Sequence, residues 1–551
     1  MSESDLAKRI ANLPPEKREK LLRKLEAEAQ AAQRAQAPAV AREPSQPQPL
    51  SFAQHRLWFV DRMQPGQGVY NLPVLFSAEG ALDVGAFTRS VEALVERHEV
   101  LRTVFSEEKG EPVQVVSPTL KVEVPVVDLR GVPEPERARE AERLAREEML
   151  RPFELSRGPL MRVVLLRLGE REYQVVMTLH HIVFDVWSMG VLLRELTELY
   201  AARVAGRPAV LPALPMQYGD YARWQREWLR GQVLEEQLAY WKKQLAGLTM
   251  LELPVDRPRP AVPSFGGGTH TFVIPRSRVE ALQALAKRQG SSLFMVMLAA
   301  LKVVLARRAG QEDVAVGIPI AGRNRRELEG LIGFFVNMLV MRTDLSGNPT
   351  FLEVLRRVKE TSLGAYAHQE LPLEHLAAEL RPEREAGQTP FFRMSFSLQN
   401  APMGAIDVPG LRLRPLKATA GTAKLDLSLY LVEDPDGLQS VWEYSTDLFE
   451  AGTIQRMAEH YERVLGQVVE APDRKVMELE VMEAEERRRV LVEWNGTRVE
   501  YPREACIHEL FEKQAQRTPE SVAVEFEGSG LTYRELNERA NQVAHQLRKL
   551  G

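Results

Sequence analysis

The sequence has 551 residues, more than one hydrophobic core usually covers, so we expect at least two lobes. Apolar residues make up 44% and charged residues 27%, which excludes a largely disordered chain. The formal net charge of -4 excludes both a basic field for nucleic acid and an acidic tail. The single cysteine, Cys506, excludes an internal disulfide framework and a cysteine-rich zinc site, and it fits a reducing compartment.

The N-terminal stretch MSESDLAKRIANLPPEKREK is charged from the start and lacks the apolar segment of a signal peptide. The most apolar run, residues 293–306, contains Lys302 and is shorter than the roughly 20 residues that cross a bilayer. It is read as a buried helix with Ser291 and Ser292 as capping candidates. The sequence therefore predicts a cytoplasmic protein that does not enter the membrane.

Residues 1–36 have a partial apolar stripe at helical spacing, broken by Pro14 and Pro15. They predict a helical leader that either packs on its own chain or docks a partner protein. Residues 37–49 carry four prolines without apolar periodicity, which is typical of a semi-extended linker. The folded region is expected to start near Leu50.

Strand and helix patterns then alternate in two series. The first has helical spacing around 87–95, 186–204 and 232–248 and strands at 161–168 and 172–179. The second has helices at 277–289, 291–308, 350–366 and 453–470 and strands at 313–320, 392–399 and 425–434. Between them, SFGGGTH at 264–270 lacks the Lys and Ser/Thr pair of a phosphate loop and is read as a flexible connection. The sequence predicts two mixed α/β lobes, residues 50–228 and 229–480.

Past the second lobe, residues 481–500 are expected to form an interdomain linker. Residues 501–551 have the pattern of a strand, a turn and a helix. A piece of about 50 residues buries too little apolar surface to hold a stable domain easily. We therefore expect the chain to end inside a domain.

Two adjacent histidines, His180 and His181, end an apolar strand. Neighbouring side chains on a regular strand point to opposite faces, so the two rings need separate roles and do not share a metal ion. A helix opens near Val186, with Asp185 in the turn before it and Ser188 in its first turn. A histidine at such a junction can move protons near neutral pH, while the aspartate braces the turn. A purely structural pair of histidines is the alternative.

The pattern HHxxxD followed by tryptophan and serine resembles the signature of condensation domains of non-ribosomal peptide synthetases. Its positions are filled by His180, His181, Asp185, Trp187 and Ser188. Further motifs follow the family's order over roughly residues 50–480: SFAQHRLWF (51–59), RHEVLRTVF (97–105), YGDYARW (218–224), IGFFVNMLVMR (332–342), HQELPLE (368–374) and RPEREAGQTPFF (381–392). This ordered agreement is far more specific than HHxxxD alone, which other acyltransferases share.

The resemblance implies an α/β fold with two chloramphenicol-acetyltransferase-like lobes, forming a V-shaped pseudo-dimer within one chain. It implies a tunnel at the lobe interface, fed from opposite faces by donor and acceptor peptidyl carrier proteins. Each carrier bears a phosphopantetheine thioester, and the acceptor's amine attacks the donor's thioester to form an amide. The family implies no intrinsically bound cofactor and no metal, and we expect a monomer that does not bind nucleic acid.

The resemblance also distributes roles among the site residues. It places His181 in the tunnel, as general base or as the group that positions the amine, and it gives His180 and Asp185 the task of holding the loop. A salt bridge is expected from Asp185 to Arg323, with Arg325 as the fallback and a solvated strand-end charge as the alternative. No further substrate contact is assigned to these residues.

Other residues have simpler explanations beside the family's. Asn337 belongs to the tunnel wall in the family, but it could instead satisfy backbone groups at a strand end. His98 is read as a structural residue at a helix end. Trp187 and Trp224 are read as packing residues, with substrate contact as the alternative.

The chain departs from the family at Val186, where glycine usually follows the aspartate. A β-branched residue adds bulk and disfavours a positive φ, so we expect a narrower tunnel. Our preferred expectation is an ordinary backbone with activity retained. Altered substrates and impaired activity are the alternatives.

Residues 501–551 resemble the beginning of an adenylation domain without its nucleotide-binding loop. The resemblance implies a downstream adenylation domain and an upstream synthase or synthetase that docks on the leader. Two other functions remain open. One is a starter-type domain that attaches a fatty or polyketide acyl group to the first amino acid, and the other is a non-catalytic platform that recruits carrier proteins.

Overall fold

The computed structural model describes residues 46–63, 65–118, 120–380, 390–399, 406–408, 410–416 and 421–551. The predicted helical leader and most of the proline-rich linker lie outside these residues. The chain divides into two compact units, residues 1–481 and 482–551. The division falls one residue beyond the predicted end of the second lobe.

The secondary structure of the described residues is mixed. The strands are β1 (Gln48–Pro49), β2 (Asn71–Gly80), β3 (Thr103–Glu108), β4 (Glu111–Val116), β5 (Val126–Asp128), β6 (Met161–Arg167), β7 (Glu172–His180), β8 (Gly267–Pro275), β9 (Asp313–Ile320), β10 (Asn337–Asp344), β11 (Met394–Gln399), β12 (Ile406–Val408), β13 (Leu411–Pro415), β14 (Leu427–Asp434), β15 (Gly437–Ser445), β16 (Val522–Phe526) and β17 (Ser529–Thr532). The α-helices are α1 (Phe52–Met63), α2 (Val84–Arg97), α3 (Glu134–Leu150), α4 (Val186–Val204), α5 (Tyr218–Trp228), α6 (Gly231–Gln244), α7 (Arg276–Arg288), α8 (Leu293–Ala309), α9 (Arg326–Glu329), α10 (Phe351–Ala367), α11 (Leu373–Leu380), α12 (Ala451–Glu470), α13 (Ala484–Arg488), α14 (Ile507–Arg517) and α15 (Tyr533–Leu550).

The N-terminal lobe is built on a six-stranded sheet in the order β12-β13-β2-β7-β6-β5. Every residue of β7 after Glu172 is buried. Because side chains alternate along a strand, both faces of β7 are therefore covered. Val175 and Met177 join the core formed with α2 and α4. Val176 joins a smaller cluster with Ala141 and Ala145 of α3. The sheet is therefore covered by helices on both sides.

The C-terminal lobe is built on a second six-stranded sheet, in the order β10-β9-β11-β14-β15-β8. Helix α8 is the predicted buried helix, and it starts where Ser292 Oγ accepts the Met295 N–H at 3.2 Å. Lys302 lies within its fully buried stretch. The ammonium of Lys302 donates to Val314 O at 3.0 Å, to Thr343 Oγ1 at 2.8 Å and to Met341 O. Backbone and hydroxyl oxygens thus solvate this buried cation.

The two lobes are not contiguous in sequence, which corrects the predicted boundaries of residues 50–228 and 229–480. The hairpin β12–β13 belongs to the second series along the chain, yet β13 pairs antiparallel with β2 of the first sheet. Leu413 lies opposite Ala78 in this pairing. The hairpin therefore extends the sheet of the N-terminal lobe, although it is distant in sequence from the other strands of that sheet.

The stretch read as a flexible connection is in part a strand, which is a second correction. Strand β8 starts at Gly267 and forms the edge of the C-terminal sheet beside β15. A Cβ at Gly267 would lie 2.3 Å from the Thr422 carbonyl carbon. A Cβ at Gly268 would lie 2.4 Å from the Tyr444 ring. The glycines serve close backbone approach rather than flexibility.

Other predicted boundaries shift by a few residues. The helix predicted over 232–248 ends at Gln244 as α6, and the folded region starts at Gln48, which pairs with Gln114 of β4. His98 ends α2 as expected, with Nε2 at 2.7 Å from Glu195 Oε2. Helix α3, which is mostly charged and has few apolar residues, was not predicted.

The C-terminal unit is described throughout. It contains α14, α15 and the hairpin β16–β17, which turns through Glu527 and Gly528, both at positive φ. The predicted linker over 481–500 includes the short helix α13. Ala515 is the only buried apolar side chain of this unit, whereas Phe526 and Leu550 are exposed. The unit therefore lacks a core of its own, as its length predicts.

Within the described part of the chain, no single helix is long and apolar enough to cross a membrane. Helices α7 and α8 pass such a test only together, and they are bent by 103° relative to each other. Helix α8 is buried in the core of the C-terminal lobe.

Candidate active site

The histidine pair lies at the predicted strand-to-helix junction. Strand β7 ends at His180, a single turn of 3₁₀-helix covers His181–Val183, and α4 follows. Asp185 caps α4, because its Oδ1 accepts the Ser188 N–H at 2.8 Å. The carboxylate is therefore fixed by the first turn of the helix.

The ring of His181 is half-buried and has one defined hydrogen bond. Its Nδ1 lies 2.7 Å from the carbonyl oxygen of Phe184, which can only accept, so Nδ1 carries the hydrogen. In the neutral ring Nε2 is then the basic nitrogen. No hydrogen bond reaches Nε2 from any residue that the structure describes. The ring packs on Phe334 at a centroid distance of 4.5 Å.

His180 has the opposite environment. The alternation along β7 points its ring to the face that α3 covers, where it is buried beside Phe153. Its Nδ1 accepts the N–H of Ile182 at 3.2 Å, so it stabilises the turn. The two histidines thus have separate surroundings, as the strand geometry predicts.

Asp185 pairs with Arg323, the expected partner. Nη2 of Arg323 lies 3.1 Å from Oδ1 and 3.3 Å from Oδ2 of Asp185, and neither side chain is exposed. The backbone N–H of Phe335 donates to Oδ2 at 3.0 Å. The fallback partner, Arg325, instead lies over the Trp224 ring at 4.0 Å. These contacts exclude the solvated strand-end alternative for Arg323.

Ser188 completes this buried network. Its Oγ lies 2.7 Å from Asp185 Oδ1 and accepts from Arg323 Nη2 at 2.8 Å. It also accepts the N–H of Gly333 at 3.1 Å. Asp185 and Ser188 lie at the start of α4 in the N-terminal lobe, and Arg323 and Gly333 lie on the connection from β9 to β10 of the C-terminal sheet. The network therefore fixes the connection between two strands of the C-terminal sheet against the start of α4, four residues after His181.

Val186 and Trp187 occupy the exposed start of α4. Val186 has ordinary helical backbone and is 61% exposed, which agrees with the expected ordinary conformation. Trp187 is also exposed, and its Nε1–H donates to Glu329 O at 3.0 Å. The Trp187 ring is therefore partly exposed and in contact with protein, so packing and substrate contact both remain open for it, whereas Trp224 is buried.

The side chain of Asn337 is fully engaged with backbone. Its amide N–H groups donate to Gln369 O at 3.0 Å and to Leu371 O at 2.8 Å. Its Oδ1 accepts the N–H of Leu373 at 3.1 Å. These bonds match the backbone-satisfying alternative and hold the loop before α11.

The histidine rings are electrically neutral at neutral pH. Burial lowers the pKa of His180 to about 3, assisted by the positive charges of Lys424 and Arg162. The same effects, burial first and Lys424 second, lower the pKa of His181 well below its ordinary value. Arg56 adds to this second shift. A neutral His181 is ready to accept a proton rather than to donate one.

The sequence did not single out several residues around His181. Arg56 pairs with Glu374 at 3.1 Å, and the hydroxyl of Tyr218 donates to Phe334 O at 2.5 Å. These three lie inside motifs that mark their segments as important. Tyr70 and Lys424 lie outside every motif, so only the structure identifies them. No cluster of metal-ligating side chains occurs among the described residues.

A neutral histidine with an unbonded Nε2, held next to a buried ion pair in a chain of two α/β lobes, is the kind of base that an acyl-transfer site uses. The family comparison makes this specific. The condensation domain model matches residues 45–491, and the AMP-binding enzyme model matches residues 511–551. The chain therefore belongs to the condensation-domain family of non-ribosomal peptide synthetases and continues into the beginning of an AMP-binding domain. Enzymes of this family are acyltransferases that form amide bonds.

Curated relatives are much longer synthetases. The chain is 48% identical over 506 residues to a linear gramicidin synthase of Brevibacillus parabrevis, covering 91% of this chain and 6% of that protein. It is 40% identical over 556 residues to phosphinothricin tripeptide synthetase PhsC of Streptomyces viridochromogenes, covering 99% of this chain and 50% of that protein. The chain thus spans half or less of the length of these relatives.

Solved structures share the fold. The X-domain from teicoplanin biosynthesis, solved in complex with OxyB, has a TM-score of 0.73 and 29% identity, covering 81% of this chain and 98% of that chain. A four-domain non-ribosomal peptide synthetase bound to AMP and glycine has a TM-score of 0.77 and 23% identity, covering 93% of this chain and 40% of that chain. These neighbours bear out the expected two-lobe fold.

Proposed function

We propose that this chain joins a donor acyl- or peptidyl-thioester to an acceptor aminoacyl-thioester, both carried on phosphopantetheine arms of carrier proteins. One observation carries the proposal. His181 is accessible and neutral, and its Nε2 is left open because Nδ1–H is committed to Phe184 O. A base of this kind suits a reaction in which an amine loses a proton as it becomes an amide.

The proposed step is an addition followed by an elimination. The acceptor's nitrogen attacks the donor's thioester carbon, and the proton it loses passes to Nε2 of His181. The carbon–sulfur bond then breaks, and the departing thiolate takes the proton, so the histidine returns to its neutral state. The bond from Nδ1–H to Phe184 O keeps the ring oriented throughout.

The remaining residues of the motif position this base. Asp185, Arg323 and Ser188 are buried and hydrogen-bonded to one another, so they hold the turn and do not contact substrate. His180 supports the same turn from its other side. Val186, at the exposed start of α4, is a candidate for contact with a substrate or a carrier.

The family match and the AMP-binding match support a proposal for the partners. Two peptidyl carrier proteins bring the substrates through a tunnel between the lobes, and the AMP-binding domain that begins at residue 511 supplies the acceptor amino acid. An upstream synthase or synthetase supplies the donor through the leader. We propose no bound cofactor, because the phosphopantetheine arms arrive with the carriers.

A reconstituted assay tests this function. Two carrier proteins loaded with defined thioesters are mixed with the protein, and the amide product is followed by mass spectrometry. We expect product with the wild-type protein and a loss of about 10²- to 10⁴-fold with His181→Ala. His508→Ala, at an exposed histidine of the C-terminal unit, is the matched control and keeps the wild-type rate.

A non-catalytic platform is the second candidate, since the related X-domain was solved in complex with OxyB. The same assay separates the two functions. A wild-type rate equal to that of His181→Ala and to the rate without protein would support the platform. A rate that depends on His181 excludes it.

A further inference from the structure

Lys424 lies on a short segment of the C-terminal lobe that precedes β14. Backbone hydrogen bonds hold this segment against the start of β8: Gly267 N–H donates to Gly421 O at 2.8 Å, and Ala423 N–H donates to Phe265 O at 3.0 Å. Gly266 and Thr422 form an isolated β-bridge between these bonds. The position of Lys424 is therefore set by main-chain contacts on its N-terminal side.

The approach of the two segments requires glycine. A Cβ at Gly267 would lie 2.3 Å from the carbonyl carbon and 2.5 Å from the carbonyl oxygen of Thr422. Real Cβ atoms do not come this close to backbone, so any other residue here would push Thr422 away. The backbone that carries Lys424 would move with it.

From this segment Lys424 reaches across to the N-terminal lobe. Its Nζ lies 5.2 Å from the ring centroid of Tyr70, within the range of a cation–π contact. The carbonyl oxygen of Tyr70 accepts the backbone N–H of His181 at 2.8 Å. Tyr70 thus contacts both the ammonium of Lys424 and the backbone of His181, the proposed base.

The ammonium of Lys424 can still donate hydrogen bonds to a bound group. Within the described ranges, Nζ of Lys424 forms no hydrogen bond and no ion pair, and its side chain is exposed to solvent. The surrounding protein nevertheless lowers the pKa of Lys424 to about 8 by burial, and the Glu443 carboxylate opposes this shift. Solvent therefore reaches the Lys424 side chain, and protein groups still surround it. Its positive charge acts on both histidines.

We propose that Lys424 contacts the substrate and donates a hydrogen bond to the carbonyl oxygen of the donor thioester. When the amine adds to the carbonyl carbon, the electron pair of the C=O bond moves to this oxygen, and the amine's proton passes to Nε2 of His181. The carbonyl re-forms as the carbon–sulfur bond breaks. Lys424 keeps its own proton and stabilises the oxygen's negative charge. The inference depends on the proposed amide-forming function.

The test compares three variants in the reconstituted amide assay. Lys424→Met keeps the length of the side chain without its charge, and Lys424→Arg keeps a charged donor. Lys243→Met, at an exposed lysine on α6, is the matched control. We expect Lys424→Met to lower kcat by about 10²- to 10³-fold with a small effect on KM for the donor carrier, as for loss of an oxyanion donor. Lys424→Arg should restore part of kcat, and the control should match the wild-type protein.

The readouts separate a substrate contact from a merely structural cation–π contact. If Lys424 only ties the lobes together, Tyr70→Leu and Lys424→Met will lower the unfolding temperature together and leave kcat per folded molecule unchanged, which overturns the inference. A wild-type kcat in a folded Lys424→Met overturns it as well, while the proposed function stands. Absence of any amide with the wild-type protein overturns the proposed function and this inference with it.

Discussion

Nη2 of Arg323 lies 3.1 Å from Oδ1 of Asp185, and both side chains are fully buried. The two residues come from different lobes, so the ion pair joins the lobes at the turn that carries His181. Desolvating two charges is expensive, and such a pair is maintained only when additional hydrogen bonds satisfy both groups. The backbone N–H of Phe335 and the hydroxyl of Ser188 satisfy the carboxylate in this way.

Breaking this pair should destabilise the protein strongly. Asp185→Asn leaves the guanidinium of Arg323 buried without a counter-charge, so we expect the free energy of unfolding to fall by about 3–5 kcal/mol. Denaturant unfolding measures this change. The control is Arg356→Ala, which breaks the exposed pair between Arg356 and Glu360 and should cost about 0.3–0.5 kcal/mol. Equal losses in the two variants would contradict a structural role for the buried pair.

The buried histidine should make stability sensitive to mild acid. The pKa of His180 is about 3 in the folded protein and 6.5 for the ordinary side chain, so the unfolded chain binds more protons between these values. The free energy of unfolding contributed by His180 is therefore complete above pH 6.5 and falls as the pH falls towards 3. Urea unfolding between pH 6.5 and 5 should show a shallower decline for His180→Asn than for the wild-type protein, whereas His508→Asn should leave the slope unchanged.

The buried Lys302 should make the free energy of unfolding depend on pH in the alkaline range. Burial lowers its pKa to about 7 from 10.5, so the folded protein releases a proton between these values. Stability from this group is lowest below pH 7 and rises as the pH increases towards 10.5. The difference in unfolding free energy between wild-type protein and Lys302→Met should become more favourable to the wild type from pH 7 to 9. A difference that is constant over this range would show that Lys302 does not titrate there.

The glycine that seats the Lys424 segment gives another test. Gly267→Ala places a Cβ against the backbone of Thr422, and overpacking of this kind costs about 1–3 kcal/mol. We also expect slower amide formation, because Lys424 moves with Thr422. Gly131→Ala is the control, since a Cβ there meets no atom within 4 Å. Wild-type stability and rate in Gly267→Ala would contradict the close approach.

The local parts of this molecule could be predicted from sequence. Helix α4 covers 186–204 as its apolar spacing indicates, and Asp185 caps it because a short polar side chain precedes the helix. The pairing of Asp185 with Arg323 was expected from the family resemblance, and the structure contains it. These features depend on residues close in sequence or on a shared motif.

The features that were missed depend on distant segments. The pairing of β13 with β2 leaves no trace in the apolar pattern of residues 411–415, because the partner strand lies far away in sequence. Strand β8 was hidden by its glycines, which ordinarily mark a loop. Lys424 lies outside every recognised motif, and only its contact with Tyr70 in the folded protein indicates a functional role.

The proposed chemistry depends on His181 being a neutral base with Nε2 open. Nitrogen NMR of protein labelled with ¹⁵N-histidine, with the His181 resonances assigned by comparison with His181→Asn, measures this state directly. At pH 7 we expect a neutral ring with hydrogen on Nδ1 and a bare Nε2. A positively charged ring at that pH, or a neutral ring with hydrogen on Nε2, would contradict this role for His181.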